Sequence, residues 1–377
     1  MSMQPGPSRA YLFAGGGTGG HIYPALAIIE QINALDPTAH CELLVSDRSG
    51  DRDILQPLDI PFAPLPAKPF AIRPPGLLRF LRSWRPSVRQ TREAIRRLHQ
   101  AHRSVTLIAM GGFVAAPAAH AGHREGIPVT LINLDAVPGK ANELIARKAD
   151  TIYTACDIEG HPGWERVPPI VRAQNLTSIA PQDARARFAL DPETHTLLIT
   201  GGSTGAQSIN RFMHAFARSH PDALQGWQVI HQTGRKISET ELSDLRAAYK
   251  AAGVPAWVDH YINDMGTAYA AADLGISRCG AGAVAECWAA KLPSMFFPYP
   301  YHRDQHQLHN AKPLIKVEGT IACKDHVDPE ANLRAYAEMM CDLFTNPHRR
   351  TRMRTALESL GEPDGAARIA ADLVNKP

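Results

Sequence analysis

Ala14-Gly15-Gly16-Gly17-Thr18-Gly19-Gly20 and Thr200-Gly201-Gly202-Ser203-Thr204-Gly205-Ala206 stand at a constant offset of 186 residues in this 377-residue chain. Each follows a short apolar run, residues 10–14 and 197–200, and each opens a helical pattern. A strand, a glycine turn and a helix N-terminus make an anion cradle, because unpaired N–H groups and the positive end of the helix dipole point at one spot. One such loop is common in nucleotide-binding proteins. Two, half a chain apart, predict two similar α/β domains facing each other across a cleft with two phosphate-bearing ligands, the architecture of a transferase.

Working outward from the loops, strand-like runs recur at 11–14, 41–45, 105–109, 129–133, 151–154, 197–200, 227–232, 256–258, 274–277 and 294–297, with helical patterns such as 24–33 and 208–217 between them. This alternation predicts doubly wound parallel sheets, the first five runs in one and the last five in the other. Four prolines without a clear period between Pro162 and Gln182 mark a linker. The expected domains are 8–172 and 173–346, with an amphipathic helical stretch, 347–377, returning to the first.

The length suits two domains, each able to bury its own core. Hydrophobic content of 44% and charged content of 20% are globular values. A net charge of +3 does not point to nucleic acid, so where the charge sits matters more than its sum. Cys41, Cys156, Cys279, Cys287, Cys323 and Cys341 have no CxxC spacing and read as reduced thiols of a cytoplasmic protein. No signal peptide is visible at the start, and no apolar run approaches the ~20 residues of a membrane span.

Gly15-x-Gly17-x-x-Gly20, with Asp47 closing the second strand, formally fits a dinucleotide fingerprint and gives an NAD-dependent enzyme as the alternative. That alternative leaves the second loop and His21 unexplained. An imidazole at His21, beside an anion site, either serves as a general base or only hydrogen-bonds the loop. The second loop lacks the Lys of a Walker motif, so magnesium-dependent ATP hydrolysis is not expected. Ser277 to Glu286 repeats the strand, small-residue turn and helix; Ala281-Gly282-Ala283 lets backbone approach a diphosphate, with Glu286 either reaching ribose hydroxyls or solvated. His302, His306 and His309 share a helical spacing, but no carboxylate or thiol pair completes a metal site. Asp304, Gln305, Gln307 and Asn310 suit sugar hydroxyls better.

In order and spacing, Gly-Gly-Gly-Thr-Gly-Gly-His (15–21), Met-Gly-Gly-Phe (110–113), Gly-Gly-Ser-x-Gly-Ala (201–206), Ser-Arg-x-Gly-Ala (277–281) with Glu286, and Pro-Tyr-Pro with Asp-x-His-Gln (298–307) resemble the MurG family. Its members transfer N-acetylglucosamine (GlcNAc) to the lipid-linked N-acetylmuramic acid (MurNAc) of lipid I, giving lipid II for peptidoglycan. The resemblance implies a GT-B fold, no required cofactor, and UDP-GlcNAc on the C-terminal domain. Ser203, Thr204, Gly205 and the 281–283 turn would meet its diphosphate, with Arg172 nearby. Ile262 would pair with uracil through its backbone and Glu286 with ribose, while Gln307, helped by His306 or Asp304, would read GlcNAc. Gly16, Gly17, Thr18, Gly19 and Gly20, with Asp135 and Asn142, would take the acceptor diphosphate and sugar. His21 would be the base, with Asp135 or Glu125 as substitutes. Three departures stand out: Asn133-Leu134-Asp135 in place of His-Glu-Gln-Asn, Pro168-Pro169-Ile170 in place of Gly-Asn-Pro, and Thr204 and Gln207 in place of Gln and Arg.

Residues 68–103 carry ten cations, from Lys68 to Arg103, against one acid, Glu93. Phe70, Ile72, Leu77, Leu78, Phe80, Leu81 and Trp84 are interleaved with the first of them. The segment reads either as ordinary core with a solvated basic face or as an amphipathic surface for an anionic membrane. The resemblance favours the membrane, since a polyprenyl-diphosphate acceptor lies there, and implies a peripheral protein on its inner face.

Overall fold

The computed structural model describes residues 8–376 except Thr18, Ile72, 176–178, Ser203, Thr204, Arg303 and Asp304. The chain divides into two compact units, Met1–Arg172 with Asp364–Pro377, and Ala173–Pro363.

The first unit holds strands β1 (Arg9–Ala14), β2 (His40–Ser46), β3 (Phe62–Leu65), β4 (Ser104–Ala109), β5 (Val129–Asn133), β6 (Thr151–Thr154) and β7 (Glu165–Arg166). Its helices are α1 (Gly19–Leu35), α2 (Ser49–Leu55), α3 (Pro74–Ala101), α4 (Gly112–Glu125) and α5 (Lys140–Ala146). The strands pair in parallel in the order β3-β2-β1-β4-β5-β6-β7. Residues 10–14 of β1 are at most 1% exposed, as a continuous apolar run covered on both faces must be. Leu12, Ala14, Leu107 and Leu131 pack with Ile95, Leu98, Val114 and Ala118 of α3 and α4.

The buried stripe of α3 begins with Ser83, Ser87 and Thr91. The hydroxyls of Ser87 and Thr91 donate to the carbonyls of Ser83 and Ser87 at 2.8 and 2.9 Å, so small polar residues are buried with their hydrogen bonds made.

The second unit holds α6 (Pro181–Arg187), β8 (His195–Thr200), α7 (Gln207–Ser219), β9 (Trp227–Gln232), α8 (Glu239–Ala251), β10 (Ala256–Asp259), α9 (Met265–Ala271), β11 (Leu274–Ser277), α10 (Ala281–Ala289), β12 (Ser294–Phe296), α11 (His306–Lys316), β13 (Thr320–Ala322), α12 (Pro329–Thr345) and α13 (Pro347–Glu358). Its parallel sheet runs β10-β9-β8-β11-β12-β13. The strand order reverses between β1 and β4 in the first sheet and between β8 and β11 in the second, and open α/β sheets bind ligands outside the strand ends at such switch points. Each glycine loop leaves the sheet at one of them.

Three strands depart from the expected five and five. β3, β7 and β13 all lie at sheet edges. They are four, two and three residues long, and β3 contains Pro64, which only an edge position tolerates well.

The expected boundary at 346/347 is also displaced. Leu357 of α13 is fully buried in the core of the second unit, and Trp288 Nε1 donates to the Gly361 carbonyl at 3.0 Å. Only α14 (Gly365–Asn375) belongs to the first unit. There Tyr11 Oη donates to the Leu373 carbonyl at 3.1 Å, and Arg9 donates to the terminal carbonyls, reaching Lys376 at 2.7 Å. A Cβ on Gly365 would lie 2.0 Å from the Pro168 carbonyl oxygen, so the first residue of α14 must be glycine. Among the described residues no helix is long and apolar enough to cross a membrane, and all six cysteines are free.

Candidate functional site

At the β8/β11 switch point, α10 follows Gly280, which provides no side-chain cap. A Cβ built on Gly280 or Gly282 would meet nothing within 4 Å. Gly282 is exposed and no side chain caps the first turn, which leaves the N–H groups of Ala281, Gly282 and Ala283 for an anion. Glu286 lies one and a half turns further on. Its Oε1 accepts from Asn175 Nδ2 at 3.0 Å and its Oε2 from Tyr269 Oη at 3.2 Å. Burial pushes this carboxyl up to about 7, although the two hydrogen bonds work against it.

Gly205 has φ +77. Gln232, buried at the end of β9, donates from Nε2 to the Gly202 carbonyl at 3.0 Å and accepts at Oε1 from the Ile262 N–H at 3.0 Å. One amide thus ties the glycine loop to the turn before α9. Gln307, near the start of α11, accepts from the Tyr299 N–H at 2.9 Å. The His306 and His302 rings lie 4.3 Å apart, tilted by 32°, and among the described residues no three His, Cys, Asp or Glu groups converge to hold a metal ion.

In the first unit, Gly17 N–H donates to Asp51 Oδ2 at 2.7 Å. The same oxygen accepts from Ser46 N and Oγ at 3.0 and 2.6 Å, so Asp51, 2% exposed, anchors the glycine loop from below. His21 is half-buried against the turn after β4: a Cβ on Gly112 would lie 3.0 Å from its Cε1. Burial pulls the imidazole below its ordinary value, opposed by the charge of Asp135, the backbone of Gly16 and the charge of Asp51. His21 Nδ1 and Asn142 Oδ1 are buried without a hydrogen-bond partner among the described residues. Asn142 lies against Gly111, where a Cβ would come within 2.8 Å of Oδ1, and donates from Nδ2 to Asn133 Oδ1 at 2.8 Å. Asn133 in turn donates to the Asp135 carbonyl at 2.8 Å. Two unsatisfied polar atoms beside a helix-opening glycine turn are the mark of a polar binding site.

Residues 11–154 match the glycosyltransferase family 28 N-terminal domain and residues 196–369 its C-terminal domain. Over 372 residues the chain is 32% identical to the UDP-N-acetylglucosamine–N-acetylmuramyl-(pentapeptide) pyrophosphoryl-undecaprenol N-acetylglucosamine transferase of Frankia casuarinae, covering 96% of this chain and 94% of that one. It is 35% identical over 374 residues to the protein of the same name from Clavibacter sepedonicus, with coverages of 97% and 95%. This chain belongs to the MurG family. The crystal structure of Acinetobacter baumannii MurG has a TM-score of 0.70 at 24% identity, over 98% of this chain and 100% of that one. That likeness places both units in the GT-B fold class.

Several residues expected from the MurG resemblance stand differently here. Arg172, expected at the donor diphosphate, belongs to the first unit and pairs with Glu30 of α1 at 2.6 Å. The Ile262 N–H is already taken by Gln232, which leaves its carbonyl for a base. Glu125 is unsuited as a substitute base: Arg96 and Arg92 both pair with it and hold its carboxyl below the usual range. It also ends α4, about 20 Å along the helix from Gly112. Asp47, which the dinucleotide alternative needs, pairs with Lys68. Thr18, Ser203, Thr204 and Asp304, with Ile72 of the amphipathic segment, lie outside the described residues.

The basic segment divides in two. Arg92 and Arg96 pair with Glu125 and Arg97 with Glu42, so three of its cations are answered by acids distant in sequence, while Arg89 pairs with Glu93 one turn on. Arg73, Arg82 and Arg85 have no ion pair among the described residues, and they share the N-terminal part of the segment with Phe70, Leu78 and Leu81, which are 54%, 47% and 57% exposed.

Proposed function

We propose that this protein is an inverting glycosyltransferase that moves GlcNAc from UDP-GlcNAc to the C4 hydroxyl of MurNAc in undecaprenyl-diphosphate-linked lipid I, forming lipid II. The observation that carries this is identity above 30% to enzymes of that name along more than nine-tenths of both chains. The open N-terminus of α10 receives the diphosphate through the N–H groups of Ala281, Gly282 and Ala283, Glu286 accepts from the ribose, and Gln307 with His306 reads the sugar. The leaving UDP is stabilised by helix N-termini, each worth typically ~0.3 to 2 kcal/mol, and no divalent cation is needed. In the first unit the loop Gly16 to Gly20 and Asn142 take the acceptor, and His21 removes the proton of the attacking hydroxyl. The test is incubation with radiolabelled UDP-GlcNAc and lipid I in the presence of a chelator, counting UDP and labelled lipid separately. Labelled lipid is expected. UDP release without labelled lipid would favour a GT-B enzyme with another acceptor, a reading that Asn133 and Asp135 in place of the usual family segment keep open.

The raised carboxyl of Glu286 gives a pH signature. A carboxyl displaced upward stays protonated until pH passes about 7, and only the carboxylate accepts two ribose hydroxyls. UDP-GlcNAc therefore binds about 10-fold more weakly at pH 6 than at pH 8, with uptake of the ligand releasing a proton near neutrality. Calorimetry in buffers of different ionisation enthalpy checks both, and a pH-independent affinity would contradict the assignment.

The protein acts on the inner face of the membrane, docking through the exposed apolar side chains and free arginines of residues 70–85. Each surface cation adds on the order of 1 kcal/mol on an anionic leaflet. Replacing Arg82 and Arg85 together by alanine lowers partition onto phosphatidylglycerol-containing vesicles roughly 30-fold and leaves pure phosphatidylcholine binding little changed. Equal losses on both vesicle types would argue against charge recognition.

A further inference from the structure

Asp325, just after β13, has a fully buried side chain, yet no motif contains it. Its Oδ2 accepts from Arg278 Nη1 at 2.7 Å and from Ser208 Oγ at 2.6 Å. Its Oδ1 accepts from the Val327 N–H at 2.8 Å and from Asn332 Nδ2 at 3.2 Å. Burial alone would raise this carboxyl, but Ser208, the Val327 N–H and Arg278 hold it below the ordinary range. Val327 sits at φ +67, a costly conformation for a β-branched residue unless its surroundings impose it.

The partner cation has a second task. Arg278 Nη1 also donates to the carbonyls of Phe297 and Pro298 at 2.9 and 3.2 Å, and Nη2 to Ser208 Oγ at 2.9 Å. Its guanidinium lies 5.8 Å from the centre of the Tyr299 ring. Phe297 and Pro298 are the root of the segment that leads to His306 and Gln307, and Ser208 is the second residue of the helix after the donor glycine loop. Asp325 is the anion in this set; the other acceptors of Arg278 are neutral. A buried guanidinium without its carboxylate is driven toward water, and the two carbonyls lose their anchor.

We propose that Asp325 is a positioning residue of the donor site, holding Arg278 so that Phe297, Pro298 and Tyr299 keep Gln307, which accepts from the Tyr299 N–H, in fixed register for the sugar. This rests on the assignment of UDP-GlcNAc as donor. The Arg278 guanidinium bonds the Phe297 and Pro298 carbonyls and Ser208 rather than any group of α10, whose N–H groups meet the diphosphate and whose Glu286 meets the ribose, so the larger loss falls on the sugar.

The test is calorimetric titration of wild type, Asp325→Asn and Arg278→Lys with UDP and with UDP-GlcNAc. Lysine keeps the charge facing Asp325 but lacks the planar fork that spans both carbonyls and Ser208. In each variant the Kd for UDP-GlcNAc rises about 10-fold or more while that for UDP stays within about 3-fold. Parallel weakening of both ligands, or no change in either, overturns the proposal, because a role in stability alone does not separate them. If Asp325→Asn does not fold, Arg278→Lys decides on the same criterion. Wild-type protein that binds neither ligand overturns the donor assignment and this proposal with it, whereas wild type that binds both while the variants keep its ratio overturns the proposal alone.

Discussion

Replacing His21 by alanine lowers turnover about 10²- to 10⁴-fold, the usual worth of a positioned general base, and leaves UDP-GlcNAc affinity within about 2-fold. Burial keeps the imidazole below its ordinary value, so it is neutral at pH 7 and can accept a proton. The acid limb of the wild-type pH–rate profile accordingly falls below the ordinary histidine range, and the alanine variant loses that limb. Donor affinity survives because His21 belongs to the first unit and the α10 site to the second. Steady-state kinetics with saturating donor, alongside direct donor binding, separates the two effects; unchanged turnover would remove His21 from the chemistry.

Replacing Gly205 by valine weakens donor binding, the second large effect expected. At φ +77 a β-branched residue is strained, and the new Cβ would lie 2.2 Å from the Thr233 carbonyl oxygen and 2.8 Å from Gly234 Cα. Both are backbone atoms of the turn after β9, so the glycine loop gives way instead. Strain of ~1–3 kcal/mol together with a clash of ~1–3 kcal/mol lowers UDP-GlcNAc affinity roughly 30-fold or more. Gly226 provides the control. It has the same φ of +77, but a Cβ there meets nothing within 4 Å, so Gly226→Ala pays only local strain and keeps donor binding. Equal losses at the two positions would mean that general destabilisation, rather than the loop, was measured.

The repeated loop was enough to read two parallel α/β units, because a strand, a glycine turn and a helix are contiguous in sequence and their spacing carries the physics. The ten expected strands all form, nine of them inside the sheets, where strands need apolar runs, and β10 at an edge, where Trp257 and Val258 carry the apolar signal. The edge strands β3, β7 and β13 did not announce themselves: with one side unpaired they tolerate Pro64 and exposed charge.

Within the candidate site, legibility followed the same rule. Ala281, Gly282, Ala283 and Glu286 are close in sequence and share α10, so their proximity needs no long-range pairing. Asp51 under the first loop, Asn175 and Tyr269 on Glu286, Gln232 on Ile262, and Asp325 on Arg278 are pairings across the sheet, with sequence separations of 17 to 111 residues. No local pattern encodes them. The charge count of residues 68–103 gave no sign of which cations are paired for the same reason, since Glu42 and Glu125, which answer three of its arginines, lie outside the segment.

The most direct test of the central claim is the linkage formed when UDP-GlcNAc, whose sugar is α-linked, reacts with lipid I. Proton and carbon NMR of the purified disaccharide product reports both the anomeric configuration and the substituted hydroxyl. Attack by a MurNAc C4 hydroxyl deprotonated at His21 predicts a β-linked GlcNAc on C4. An α-linked product, or GlcNAc on any other position, would contradict it.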